Sequence, residues 1–154
     1  MNGDTVSTTA EAHEDDALPR ARVVHSNPDA PQTAEQKPLP DSVARKPVAK
    51  KSAAEWAYER LVLYIQNFEE QLDSEHEVSV GFAGSNTGLL RIEGLGYFDP
   101  DMITFYGSDE NGVRTQLVQH VSQLNVSLRA MPKEPARKTA QRIGFQLAKD
   151  LEDG

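Results

Sequence analysis

The sequence predicts an α+β fold: a helix, a curled antiparallel meander of five short strands and a second helix, behind a disordered N-terminal tail. Three observations carry this. The first 50 residues contain no Phe, Trp or Tyr. Two later stretches, one near each end of the remainder, repeat their apolar residues at spacings of three and four. Between them the spacing falls to two and is punctuated by Gly, Pro, Asn and Asp.

The tail comes first. Residues 1–51 hold six of the nine prolines, and up to residue 50 they carry eight acids and six bases. Such a segment buries too little apolar surface to offset its ordering entropy, so it is expected to be disordered. Its end, Arg45-Lys46-Pro47-Val48-Ala49-Lys50-Lys51, is locally basic. One folded domain is expected over residues 52–152, enough for a core of its own.

Ser52 is a good N-cap and Glu55 completes a capping-box pattern, so a helix is expected through SAAEWAYERLVLYIQNFEEQLD. Ala57, Leu61, Tyr64, Ile65, Phe68 and Leu72 form its apolar stripe. Trp56 and Leu63 lie off the stripe and widen the apolar surface, an edge that a partner subunit would cover.

VSVGFAG is the first expected strand, followed by a turn at Ser85-Asn86-Thr87-Gly88. GLLRIEGLGYF is the second, with Gly94 and Gly96 placed to permit a bend or bulge. Asp99-Pro100-Asp101 is a turn, MITFYG the third strand, and the loop Ser108 to Gly112 ends in Asn-Gly, which suits positive φ.

VRTQLVQHV and LNVSLRAM are the fourth and fifth strands. Leu117 and Val121 share one parity; Leu124, Val126 and Leu128 share the other. A single strand cannot bury both sets on one face. A tight corner at Val121-Ser122-Gln123, one helical-type turn or a bulge, restores a common core. Pro132 and Pro135 then break the chain. Ala136 to Leu151 resumes helical spacing through Ala140, Ile143, Leu147 and Leu151.

Composition limits function. With no cysteine there is no disulfide framework, thiolate metal site or cysteine nucleophile. No apolar run reaches the roughly 18 residues of a membrane span, and MNGDTVSTTAEAHEDD has no secretory h-region. A cytoplasmic protein with no membrane partner is expected. The net charge of −8 argues against a broad, non-specific grip on nucleic acid.

No motif recommends an enzyme or a cofactor. Gly81, Gly84 and Gly88 lack the Lys and the following helix of a phosphate loop. Glu69, Glu70, Asp73, Glu75, His76 and Glu77 form an acidic run without EF-hand spacing, read as a solvated helix end. His120 has no local nucleophile pattern beside it and is read as a surface or interface residue. The late basic group, Arg114, Arg129, Lys133, Arg137, Lys138 and Arg142, is read first as a helix start balancing the acidic first helix, and is the one region of this acidic domain suited to phosphates.

Two resemblances follow from these residues. GFAGSNTGLLRIEG, GYFDPDMITFYG and TQLVQHVSQLNVSLRAMPKEPARK make residues 53–152 similar to a family of small bacterial proteins of unknown function. Residues 53–131 resemble the Sm-like fold of the RNA chaperone Hfq: a helix before five curled strands, a bent glycine-containing second strand, and a histidine ending the fourth.

That second likeness implies a small barrel whose subunits form rings by pairing the fourth strand of one with the fifth of the next. Their pore histidine holds uridine-rich RNA. His120 matches that histidine and Asp99 a family aspartate. Gln119 stands where the family has lysine, and Pro100 and Asp101 replace a glutamine and a base-stacking phenylalanine. The implied function is a non-enzymatic, homo-oligomeric RNA-binding module; His120 and Gln119 at the corner, with Arg114, Arg129, Arg137 and Lys138 of the basic group, are the candidate nucleic-acid or partner contacts. The alternative is a protein-interaction adaptor of the same fold.

Overall fold

The structure, a computed structural model, describes residues 20–84 and 88–153. Helix α1 runs Ala53–Glu69 and α2 Ile143–Asp153. Between them lie β1 (His76–Phe82), β2 (Leu89–Phe98), β3 (Met102–Ser108), β4 (Arg114–His120) and β5 (Val126–Pro132). They form one antiparallel sheet in the order β4-β3-β2-β1-β5.

The meander therefore covers four strands only. β5 does not lie beside β4; it returns to β1 in unbroken register from His76↔Pro132 to Phe82↔Val126. Without β5, that side of β1 would leave a row of backbone groups unpaired. β4 and β5 do not pair with each other, so the sheet is open and no barrel closes within the chain.

One face of the sheet supplies the core. Tyr58, Leu61, Val62 and Ile65 of α1 and Ile143 and Leu147 of α2 pack on Val78, Val80, Leu90, Ile92, Ile103 and Phe105. The phase break resolves as expected. Val121–Gln123 is a single 3₁₀ turn, and Leu117, Val121, Leu124, Val126 and Leu128 all pack against that one core. In β2 the register shifts between Ile92 and Gly94, a bulge at the expected glycine. Gly112, at the Asn-Gly, has φ +79°.

The expected start of α1 is present, but only half of its capping box. Ser52 Oγ accepts from the Glu55 N–H at 3.0 Å. The Glu55 carboxylate turns instead to Lys46, at 3.0 Å. Ser52 also donates to Asp99, and the Ala54 N–H donates to the Pro100 carbonyl at 3.0 Å, tying α1 to the β2–β3 turn.

Two boundaries differ from expectation. α2 starts at Ile143, seven residues after Ala136, because residues 133–142 are held in a turn and bends by polar bonds described below. At the N-terminus, residues 1–19 and the turn residues 85–87 lie outside the described residues. Residues 20–51, which composition assigned to the tail, lie along α1. Val43 is 1 % exposed, Lys51 Nζ bridges Glu59 at 2.6 Å, and Lys37 reaches Glu70 at 2.6 Å. A few anchors hold this aromatic-free stretch, a pattern without periodicity that composition cannot register. This segment also borders the extra apolar edge of α1, where Leu63 and Leu39 line one cleft with Trp56.

Candidate functional site

Sequence reasoning singled out the corner after β4. Strand register puts Gln116, Val118 and His120 on the outer face and Leu117 and Gln119 on the core side, since Phe105 pairs with Leu117 and Ile103 with Gln119. Gln119 and His120 therefore do not share a surface. The Gln119 Oε1 is buried without a hydrogen-bond partner among the described residues.

Both nitrogens of His120 are engaged. Nδ1 accepts from the Ser122 N–H at 3.0 Å and lies 2.8 Å from Ser122 Oγ. That assigns the proton to Nε2, which donates to Asp101 Oδ2 at 3.0 Å. The Val121 N–H donates to the Asp101 carbonyl at 2.8 Å. His120 thus pins the β4 corner to the β2–β3 turn. A serine, a histidine and an aspartate meet here, but the serine sits two residues from the histidine, whose ring caps the serine's backbone N–H. That is the geometry of a turn.

Around the corner the outer face of the sheet is apolar and uncovered. Phe98 is 76 % exposed and Val118 55 %; Phe98 pairs with Met102, Val118 with Thr104, and Tyr106 with Gln116 on the same face. Gly94 and Gly96 lie under Tyr106: a Cβ at Gly94 would meet the Tyr106 ring at 3.4 Å. The glycines flatten this face and the tyrosine covers the backbone they leave bare.

The late basic group is not one surface. Arg137 is spent on Glu77, which is 1 % exposed and also receives Arg91 and the Gln141 N–H. Burial alone would push the Glu77 carboxyl up; hydrogen bonds from Arg137 and Gln141 and the nearby arginine charges instead hold it below its usual value. Arg142 donates to the carbonyls of His76 and Asp73, both at 2.7 Å, and Lys133 to that of Arg137 at 2.7 Å. Arg114, Arg129 and Lys138 are exposed, without ion-pair partners among the described residues.

The acidic run also divides. Glu69 and Glu77 are buried and structural, while Glu70, Asp73 and Glu75 are exposed. Among the described residues no group of three acids or histidines is placed to hold a metal ion. Alternation places Glu77 in phase with Ser79, opposite Val78 and Val80, which face the core, so it gave no signal of burial. Both belong to the opposite face, which the 133–142 segment covers. Among the described residues no helix is long and apolar enough to cross a membrane.

The model of a family of unknown function, DUF6173, matches residues 47–146. The chain belongs to this family. The match begins six residues before the resemblance read from the sequence and ends six before it. No curated protein and no solved structure matches the chain, so the likeness to Hfq gains no support from these comparisons.

Proposed function

We propose that this DUF6173 member is a non-enzymatic assembly module whose copies join by strand addition, the β4 edge of one subunit taking the β5 edge of the next. One observation carries the reading: β4 pairs only with β3 and β5 only with β1, leaving two unpaired edges of seven residues each.

An open edge is a template for another strand, and proteins that stay monomeric blunt it with proline, lysine, bulges or a covering element. β4 has no proline, lysine or bulge, and no described element covers it. The apolar outer face beside it, with Val118 and Tyr106, extends the contact beyond backbone pairing. The arrangement is the one that an Sm-like ring would use, and it needs no barrel closed within one chain.

RNA is the second reading. Arg114 on one edge and Arg129 on the other carry no ion pair among the described residues, so edge pairing gathers cations from two subunits. The excess of acids over bases in the folded part, and the loss of Arg137 to Glu77, favour a protein-only assembly.

Native mass spectrometry of the untagged chain, with an absorbance ratio for nucleic acid, tests both. A discrete oligomer that Val118→Asp reduces to monomer supports strand addition. A monomer at every concentration overturns it. Co-purified RNA displaced by salt supports the second reading.

A further inference from the structure

The segment before α1 builds a cleft of about 420 Å³ against the off-stripe edge of that helix. This lies within the range of about 300–1,000 Å³ common for small-ligand sites. Its composition is unlike the rest of the chain. Arg20, Arg22, Lys37 and Arg60 line it, with Glu35 as the one acid. The chain as a whole has net charge −8.

The charges are not used up locally. Lys37 pairs with Glu70 at 2.6 Å, but Arg20, Arg22 and Arg60 have no ion-pair partner among the described residues. Glu35 accepts the Tyr64 hydroxyl proton in a hydrogen bond, which holds its carboxyl below the usual value and keeps it fixed on one wall. Arginine forks match the oxygens of a phosphate in pairs, so an anionic tetrahedral group suits this lining better than the carboxylate-rich surface elsewhere.

The same cleft offers planar surfaces. Trp56, Arg60, Leu63 and Tyr64 follow one another at i, i+4, i+7 and i+8 on α1 and so share one side of it. The Arg60 guanidinium, at an exposed position, lies 4.0 Å from the Trp56 ring centroid, and Lys51 Nζ lies 4.9 Å from the same centroid. Tyr64 is 43 % exposed, and Leu39 and Leu63 make the floor apolar. A stacked guanidinium and a tyrosine ring are what an aromatic base uses, because every base has a π face.

We propose that this cleft binds a nucleotide: a phosphate held by Arg20 and Arg22, and a base stacked on the Arg60–Trp56 pair and Tyr64. The source of the nucleotide is either a free mononucleotide or one unit of single-stranded RNA, and the chemistry recognised is the same. The site is remote from β4 and does not depend on strand addition.

Trp56 is the only tryptophan in the chain, so its fluorescence reports directly on the cleft. Titrating the full chain with AMP is expected to give saturable quenching. Adenosine, ribose 5-phosphate and inorganic phosphate should each bind about tenfold more weakly or worse, since each lacks one half of the recognised group. Arg22→Gln, at an exposed position, should weaken AMP by about tenfold, and Arg60→Lys, which keeps the charge but not the plane, should separate AMP from inorganic phosphate less well. Val118→Asp should leave AMP binding unchanged. A short oligoadenylate that binds more tightly than AMP, with a steeper salt dependence, identifies RNA as the source; equal or weaker binding identifies the free nucleotide. AMP binding no better than inorganic phosphate overturns the proposal, as does quenching that Arg22→Gln and Arg60→Lys leave unaltered.

Discussion

Glu69 Oε1 accepts the backbone N–H of Gly144 at 2.9 Å, a polar bond that joins the first turn of α2 to the last turn of α1 beside the packing of Ile143 and Leu147. Gly144 is there because nothing larger fits. A Cβ would stand 2.5 Å from that same carboxylate oxygen and 2.9 Å from the Gln66 Cα. The second oxygen of Glu69 is buried without a partner among the described residues.

The bond sets a pH dependence. Burial pushes the Glu69 carboxyl up to about 7, against the pull of the Gly144 N–H and the Arg142 charge. The native state therefore holds this proton more tightly than the unfolded chain, whose ordinary value is 4.5. Stability is greatest below that unfolded value and falls as pH rises through the window up to about 7. Glu69→Gln keeps the acceptor and removes the charge. Thermal melts should show it more stable than the parent at pH 8, on the order of 1–3 kcal/mol, and equal to it near pH 4.5. Equal melts at both pH values would sink this account.

Glu77 should behave in the opposite sense. Its carboxyl is held below 4.5, so its contribution is present above the unfolded value and is lost as pH falls through the folded one. Glu77→Gln leaves Arg91 and Arg137 without their counter-charge and is expected to cost about 3–5 kcal/mol at pH 7. In urea melts the gap between parent and variant should narrow on acidification below pH 4.5.

A glycine of the sheet and one of the β3–β4 loop should separate sharply. Gly107 faces Ile92 at the β2 bulge, and a Cβ there would lie 2.0 Å from the Arg91 carbonyl oxygen, a backbone atom that cannot turn aside. Gly107→Ala is expected to cost more than about 3 kcal/mol or to prevent folding. Gly112→Ala meets nothing within 4 Å and carries only the strain of φ +79°, about 1–2 kcal/mol. Denaturant midpoints of the two variants give the comparison.

These positions show what was legible in the sequence. Periodicity located both helices, and the phase break at Ser122 located the 3₁₀ corner, because both signals are local. It did not show that β5 crosses to β1, since the partner of a strand is chosen by distant backbone. Nor did it show that Glu77, inside an acidic run, is buried: its partners Arg137 and Gln141 lie 60 and 64 residues away. The cleft at Arg20, Arg22 and Arg60 joins a proline-rich stretch to a helix face, and neither half looks like a site alone. His120 was noticed for its likeness to a pore histidine; its partner Asp101 occupies a position where that likeness fails.

That partner permits a decision on His120. If the imidazole pins the corner, losing it removes the Ser122 cap and the Asp101 bond together, and His120→Ala should destabilise the chain by about 1–2 kcal/mol. Asp101→Asn should cost far less, because the amide oxygen still accepts from Nε2–H, whereas Asp101→Ala should lose part of what His120→Ala loses. Both side chains are about half exposed, so the coupling between His120→Ala and Asp101→Ala in a double-mutant cycle should stay near 0.5–1 kcal/mol. A ring histidine waiting for a ligand has no such bonds to lose. His120→Ala would then leave the melting temperature unchanged while altering only ligand affinity, and that result would remove the structural role given to it above.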